Sequence, residues 1–236
     1  MPSTPSININ TLIKIADTMS DEEATLVVTA GTAMYGLTEL GGLVAGESVV
    51  VIGPGPIGLL GVAVAKALGA DPVILTGTRE QRCGQGRELG ADHVVNVTSR
   101  MRSPPCGGSP AARASTTCWN VRVPRTPSTC ALKVLNRGGK LCLAAFPHTP
   151  VSVDVAHLVR NNIYLYGIRG EGRSATHRAE AFMRRKQFDA CKIHTHTFQL
   201  DELPEALRYA RDRVEDAIKV VVKTRPGAAA GRAAAE

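Results

Sequence analysis

The chain has 236 residues, 44% of them hydrophobic but only 4% aromatic, so its core must be built from Val, Leu, Ile and Ala, in one large domain or one domain plus pieces of another. The net charge of +7 invites a nucleic-acid partner, but Arg100, Arg102, Arg113, Arg122 and Arg125 sit in one stretch without Asp, Glu or Lys, and setting those five aside leaves 23 basic against 21 acidic residues, which argues against such a partner. No run of about 18 apolar residues points to a membrane span, the first residues do not read as a secretory signal, and six cysteines without a CxxC suit a reducing cytoplasm.

From Glu47 to Val97 short apolar runs alternate with helical patterns. Ser48–Ile52 (SVVVI) reads as a fully buried strand, and after a glycine-rich turn LLGVAVAKALGA reads as a buried helix closed by Gly69. Pro72–Thr76 is a second strand, Arg79–Leu89 a polar helix stopped by Gly90, and His93–Val97 a third strand. This alternation implies right-handed crossovers and a doubly wound parallel sheet of the Rossmann type, an α/β fold. The pattern breaks at Ser99. Residues 100–130 hold five of the 14 prolines, three of the six cysteines and the single Trp, with no visible period. It resumes at Ala131, where ALKVLNRGG reads as a helix end and KLCLAAF as a buried strand. Asp154–Asn161 is then a short helix, Ile163–Ile168 a strand and Ser174–Gln187 a basic-faced helix. An extended piece at Thr197–Leu200, a helix from Asp201 to about Arg213 and a strand at Ala217–Lys223 follow. The low-complexity stretch from Pro226 reads as a disordered tail.

The chemistry lies in Gly53-Pro54-Gly55-Pro56-Ile57-Gly58, a G-x-G-x-x-G between a predicted strand and a predicted helix. The first glycine permits a tight turn, the second lets a pyrophosphate approach the backbone, and the third lets helix and strand pack closely. The free N–H groups of the helix start then hold the phosphates. An acidic residue that grips the ribose of NAD is expected about 20 positions further on. The sequence there reads Thr76-Gly77-Thr78-Arg79. Gly77 makes room, and Thr78 and Arg79 are suited to a 2′-phosphate, which favours NADP over NAD; Glu80 is the alternative that would still reach a ribose.

The stretch VVVIGPGPIGLLGVAVAKALGA, a strand, RELGADHVVNV and a helix ending GGKL together resemble the medium-chain dehydrogenase/reductases, with the zinc-type alcohol, polyol and threonine dehydrogenases nearest in style. The resemblance covers about residues 11–99 and 131–224. It implies that residues 1–34 are a remnant of a barrel-like catalytic domain with its linking helix, 35–193 the dinucleotide-binding domain, 194–225 the return of the chain to the catalytic domain, and 226–236 a tail. It implies hydride transfer between a secondary alcohol or polyol and a nicotinamide, with zinc as Lewis acid on the substrate oxygen. The family's zinc ligands have no counterpart here, so neither catalytic nor metal-ligating residues are assigned, and the isolated chain is expected not to turn over alcohols. His194 and His196 form an H-x-H, but without a third ligand they read as structural. In the family the strand matching Ile163–Ile168 often makes a dimer contact, so a homo-oligomer is implied. A non-catalytic dinucleotide-binding module is the alternative function.

Residues 100–130 stand where the family has a helix and a buried strand of the form G-x-D-x-V-x-E-C-x-G. Reading the codons one base earlier, Cys118-Trp119 forces Leu and Trp119-Asn120 forces Glu, and the surrounding codons permit Gly-Val-Asp-Tyr-Val-Leu-Glu-Cys-Ala-Gly. This points to a compensated frameshift; a basic loop is the alternative. If the segment is out of frame, the sheet is expected to lose a central strand and a helix, a place that residues 115–121 would fill only in part because their polar side chains suit a buried strand badly.

Overall fold

The computed structural model describes residues 12–97, 115–120, 128–147, 149–170 and 172–224. Most of the irregular stretch 100–130 and the tail from Pro226 lie outside them. The described chain begins with a short helix, α1 (Asp21–Ala24), capped by the Ser20 hydroxyl, which accepts from the Glu23 N–H at 3.1 Å. Helix α2 (Val27–Met34) continues without a break into a wider π-helical stretch, Tyr35–Leu40. The domain boundary expected at residue 34 therefore falls inside a continuous helix.

Strand β1 (Val49–Ile52), helix α3 (Pro56–Ala67), strand β2 (Val73–Gly77), helix α4 (Glu80–Glu88) and strand β3 (His93–Asn96) follow in alternation. Strand β4 (Ser115–Asn120), helix α5 (Ser128–Lys133), strand β5 (Leu135–Leu143), helix α6 (Val155–Asn161) and strand β6 (Tyr164–Gly167) complete a six-stranded parallel sheet of order β3-β2-β1-β4-β5-β6. The β-branched run Val49-Val50-Val51 is buried on both faces, as parallel strands covered by helices must be. Val49, Val51, Val73 and Leu75 face the core shared with α2 and α3, while Val50 and Ile74 face Ala131 and Leu132 of α5 on the other side. Lys66 ties α3 to the start of β3, its Nζ donating to both Asp92 carboxylate oxygens at 2.7 and 2.9 Å. Helix α7 (Arg173–Arg184) packs beside α2, so closely that a Cβ on Gly31 would lie 2.7 Å from the Thr176 hydroxyl.

Strand β7 (His194–Gln199) leaves this sheet and pairs in parallel with strand β8 (Lys219–Lys223) across helix α8 (Leu203–Asp212). Helix α8 has little to pack on among the described residues: Leu200 before it and Leu203 and Leu207 within it are 52%, 40% and 61% exposed. Among the described residues no helix is long and apolar enough to cross a membrane.

Two expectations are corrected. Leu135–Gly139 was expected to end a helix; it opens β5, with the pairing to β4 slipping between Ser115 and Thr117. Gly138, at φ 77°, supplies the left-handed residue that such an irregularity in the ladder takes. The sheet also has no missing central strand, because β4 fills the gap between β1 and β5 with residues from the anomalous segment. The strand forms there because the neighbouring backbones demand partners, and the side chains bear the cost. Trp119 is wholly buried, lying where a Cβ on Gly61 would come 2.8 Å from its Nε1 and one on Gly36 2.2 Å from its ring. Among the described residues its indole N–H and the Thr117 hydroxyl are both buried without a hydrogen-bond partner. A buried unpartnered hydroxyl costs about 1–3 kcal/mol. Thr117→Val, which keeps the branched shape, is expected to raise stability by about 1 kcal/mol, read as a higher urea midpoint at unchanged slope; a lower midpoint contradicts the assignment of that hydroxyl as unpaired.

Candidate functional site

In a sheet of this order the helices that follow β1 and β4 cover opposite faces, so a crevice opens beyond the carboxyl ends of these neighbouring strands. The glycine loop lies there. Gly53 follows β1 at φ 109°, a conformation open to glycine and strained for other residues, and its N–H donates to the Thr76 carbonyl at 2.9 Å. Gly55 is the extended N-cap of α3, at φ −91° and ψ −179°, and no side chain caps the helix. A Cβ on Gly55 would meet nothing within 4 Å among the described residues, which leave the approach to the helix start open. Pro56 and Ile57 are half-buried in the first turn of α3, and Gly58 is buried within it. The result is a helix N-terminus with unfilled N–H donors and the positive end of the helix dipole facing an open surface, which suits a phosphate.

The end of β2 lies against this loop. A Cβ on Gly77 would fall 2.7 Å from Pro54 Cγ and 2.9 Å from Cys83 Sγ. The room that the sequence reading assigned to a ligand at Gly77 is thus taken by Pro54, and glycine is required there because the loop packs onto the strand. Thr78 is exposed, and Arg79 is the half-buried N-cap of α4. Arg79 is not free to point anywhere: its Nη1 donates to Asp216 Oδ1 at 2.5 Å. Arg82 holds the same carboxylate oxygen from Nε at 3.2 Å, and its Nη2 donates to the carbonyls of Asp216 at 3.3 Å and Ala217 at 2.7 Å. Burial pushes the Arg82 pKa down, opposed by the Asp216 charge. Glu80, the alternative ribose ligand, accepts instead from Asn96 Nδ2 at 2.9 Å. Sequence reasoning missed Arg82 and Asp216. They stand more than 130 positions apart, and no local pattern links them.

The H-x-H pair serves the return segment. His194 Nε2 lies 2.8 Å from the Thr197 hydroxyl, while the His196 ring packs edge-on against Tyr209 at 5.0 Å and lies 3.4 Å from Glu215 Oε2. Among the described residues no three His, Cys, Asp or Glu side chains gather that could hold a metal ion.

The family described as zinc-binding dehydrogenase matches residues 56–185. The chain belongs to that family. It is 30% identical over 193 residues to L-threonine 3-dehydrogenase of Escherichia coli O139:H28, covering 80% of this chain and 55% of that protein. It thus spans about half the length of the curated relatives it matches. An alcohol dehydrogenase of Thermotoga maritima superposes with a TM-score of 0.77 at 26% identity, over 89% of this chain and 60% of that one. A zinc-binding dehydrogenase of Sinorhizobium meliloti, solved with NADP bound, superposes with a TM-score of 0.74 over 83% of this chain and 58% of that one; at 20% identity it shows the shared fold. The match begins at Pro56, the first residue of α3, and so takes in the whole helix on which the glycine loop ends.

The tight contact at Gly77 is open to a direct test. Gly77→Ala is expected to destabilise the fold by about 1–3 kcal/mol through displacement of the Pro54 turn, measured by urea unfolding. An unchanged midpoint overturns the packing role.

Proposed function

We propose that the chain binds a nicotinamide dinucleotide along the carboxyl edge of its parallel sheet, with the pyrophosphate at the start of α3 and the adenosine end beside Gly77, Thr78 and Arg79. The observation that carries this reading is Gly55: an extended residue at an uncapped helix N-terminus, at the switch point of a doubly wound sheet, with open space where a side chain would stand. Gly53, Pro56, Ile57 and Gly58 complete the loop, and the backbone N–H groups of its helical part hold the phosphate oxygens. The same geometry supplies a clean test. Gly55 has backbone angles that other residues adopt and no neighbour within 4 Å of its Cβ, so Gly55→Val is expected to fold like the parent, by far-UV circular dichroism, yet to lose reduced-coenzyme binding in a fluorescence titration. Parent-like affinity in a folded Gly55→Val protein sinks this placement.

The coenzyme favoured is NADP. No carboxylate ends β2 to grip a ribose hydroxyl pair, and Arg79 is the cation nearest in sequence to that strand end. Arg79→Ala is expected to weaken NADPH by about tenfold or more, the scale of one charge-assisted contact, and NADH much less. Equal losses for both count against the 2′-phosphate role.

For the whole protein we propose hydride transfer between a secondary alcohol or polyol and the nicotinamide, the chemistry of the family. In that reaction the residues of this chain bind and orient the coenzyme; zinc enters only as the family's Lewis acid. The free cysteines Cys83, Cys118, Cys142 and Cys191 suit a reducing cytoplasm. Self-association through the outer edge of β6 is also proposed. It is the last strand in the sheet order, and Tyr164 on it and Val155 and Val159 on the preceding helix are 57%, 62% and 72% exposed. Tyr164→Lys is expected to shift the chain toward monomer in analytical ultracentrifugation; a monomeric parent removes the proposal.

A further inference from the structure

Arg79 has two anionic claimants, and only one of them is a coenzyme. We propose that Asp216 is a specificity-determining residue: it competes with the 2′-phosphate of NADP for the Arg79 guanidinium, and so sets how strongly the site distinguishes NADP from NAD. This rests on the reading of Arg79 as the 2′-phosphate ligand.

The geometry is that of a handover between unequal partners. Asp216 Oδ1 is held by two guanidinium groups, Arg79 at 2.5 Å and Arg82 at 3.2 Å. The Arg82 side chain is 8% exposed and is pinned by its further bonds to the Asp216 and Ala217 carbonyls. The Arg79 side chain is 41% exposed, and among the described residues its side-chain hydrogen bond goes to this one carboxylate. Arg79 can therefore swing to a phosphate while Asp216 keeps its charge balanced by Arg82. The carboxylate is left behind at the edge of the phosphate position, where its charge opposes a dianion. Both effects weaken NADP and leave a plain ribose untouched.

Asp216 is also held where a chain does not readily go. It has φ 60°, and Arg213 and Glu215 just before it have φ 57° and 51°, three left-handed residues that are not glycine within one turn. The turn between α8 and β8 adopts this path while Arg82 grips its carbonyls, and the path brings the carboxylate to the N-cap of α4. Arg79 and Arg213 are further cations near Arg82, and the Asp216 carboxylate lies among them.

The test uses the full chain and two adenosine probes, 2′,5′-ADP with the phosphate and ADP without it, titrated by calorimetry. Asp216→Asn keeps an oxygen for Arg82 but removes the charge; it is expected to raise the affinity ratio of 2′,5′-ADP over ADP by about two- to fivefold, the range of a partly exposed charge pair. Asp216→Ser is the second neutral variant, and Asp216→Glu, which keeps the charge, is expected to retain a ratio near that of the parent. Arg79→Ala, introduced into the Asn variant, is expected to erase most of the gain. If Arg79→Ala alone leaves the ratio of the parent unchanged, the 2′-phosphate reading fails and this inference fails with it. If Arg79→Ala lowers the ratio but both neutral variants at Asp216 leave it where it was, the coenzyme reading stands and the role of Asp216 is refuted.

Discussion

A parallel sheet tolerates no empty lane, and this constraint governs the molecule. Strand β1 must be paired on both sides for the loop at its end to hold its shape, and the lane beside it is filled by β4, whose register sets Ile52 opposite Asn120. The residues available for that lane are Ser, Thr, Thr, Cys, Trp and Asn, a poor composition for the centre of a core. Backbone pairing outweighs them. The unpaired N–H and C=O groups of two neighbouring strands would cost far more than one buried hydroxyl and one buried indole N–H. The bulk of Trp119 is absorbed by the absence of side chains on Gly36 and Gly61, so two glycines in other elements make the lane habitable. The proposed frameshift and this strand are compatible. In the shifted frame Val and Leu stand where Thr117, Cys118 and Trp119 now meet, beside the forced Glu, so the same lane would hold more apolar residues at its centre.

The second organising contact is the pair of arginines on Asp216. It joins the start of α4, which belongs to the main sheet, to the turn before β8, which belongs to the two-stranded return segment. Arg82 does the structural part through main-chain carbonyls and is buried; Arg79 shares the carboxylate from a half-exposed position at the helix start. One cluster therefore serves stability on its inner side and faces the proposed coenzyme on its outer side. The positive charge proposed to meet a phosphate thus also fastens the return segment, being neutralised by the Asp216 carboxylate.

Much of the fold was legible from local patterns. The β-branched runs at Val49–Ile52 and Val73–Gly77, the glycine turn, and the helix that begins at Pro56 all follow rules of period and punctuation that act within a few residues. The glycine loop could be read for the same reason, since a phosphate site at a helix start is made by consecutive residues. What failed was also local in its logic. ALKVLNRGG was read as a helix end; its first residues do close α5, whereas the pairing demand of β4 draws LNRGG into a strand. Gly77 was read as an accommodation to a ligand, but its small size answers to Pro54, more than twenty positions away, on which no periodicity bears.

The amino-acid sequence alone determined the alternation of strand and helix, hence a doubly wound parallel sheet, and the glycine turn at the start of α3, because these depend on short-range sterics within a few residues. Only the tertiary structure decided what occupies the central lane and what holds Arg79. Both are settled by groups distant in the chain: the unmet backbone partners of β1 and β5 in the first case, and in the second a carboxylate at Asp216, brought across by a left-handed turn and a buried guanidinium.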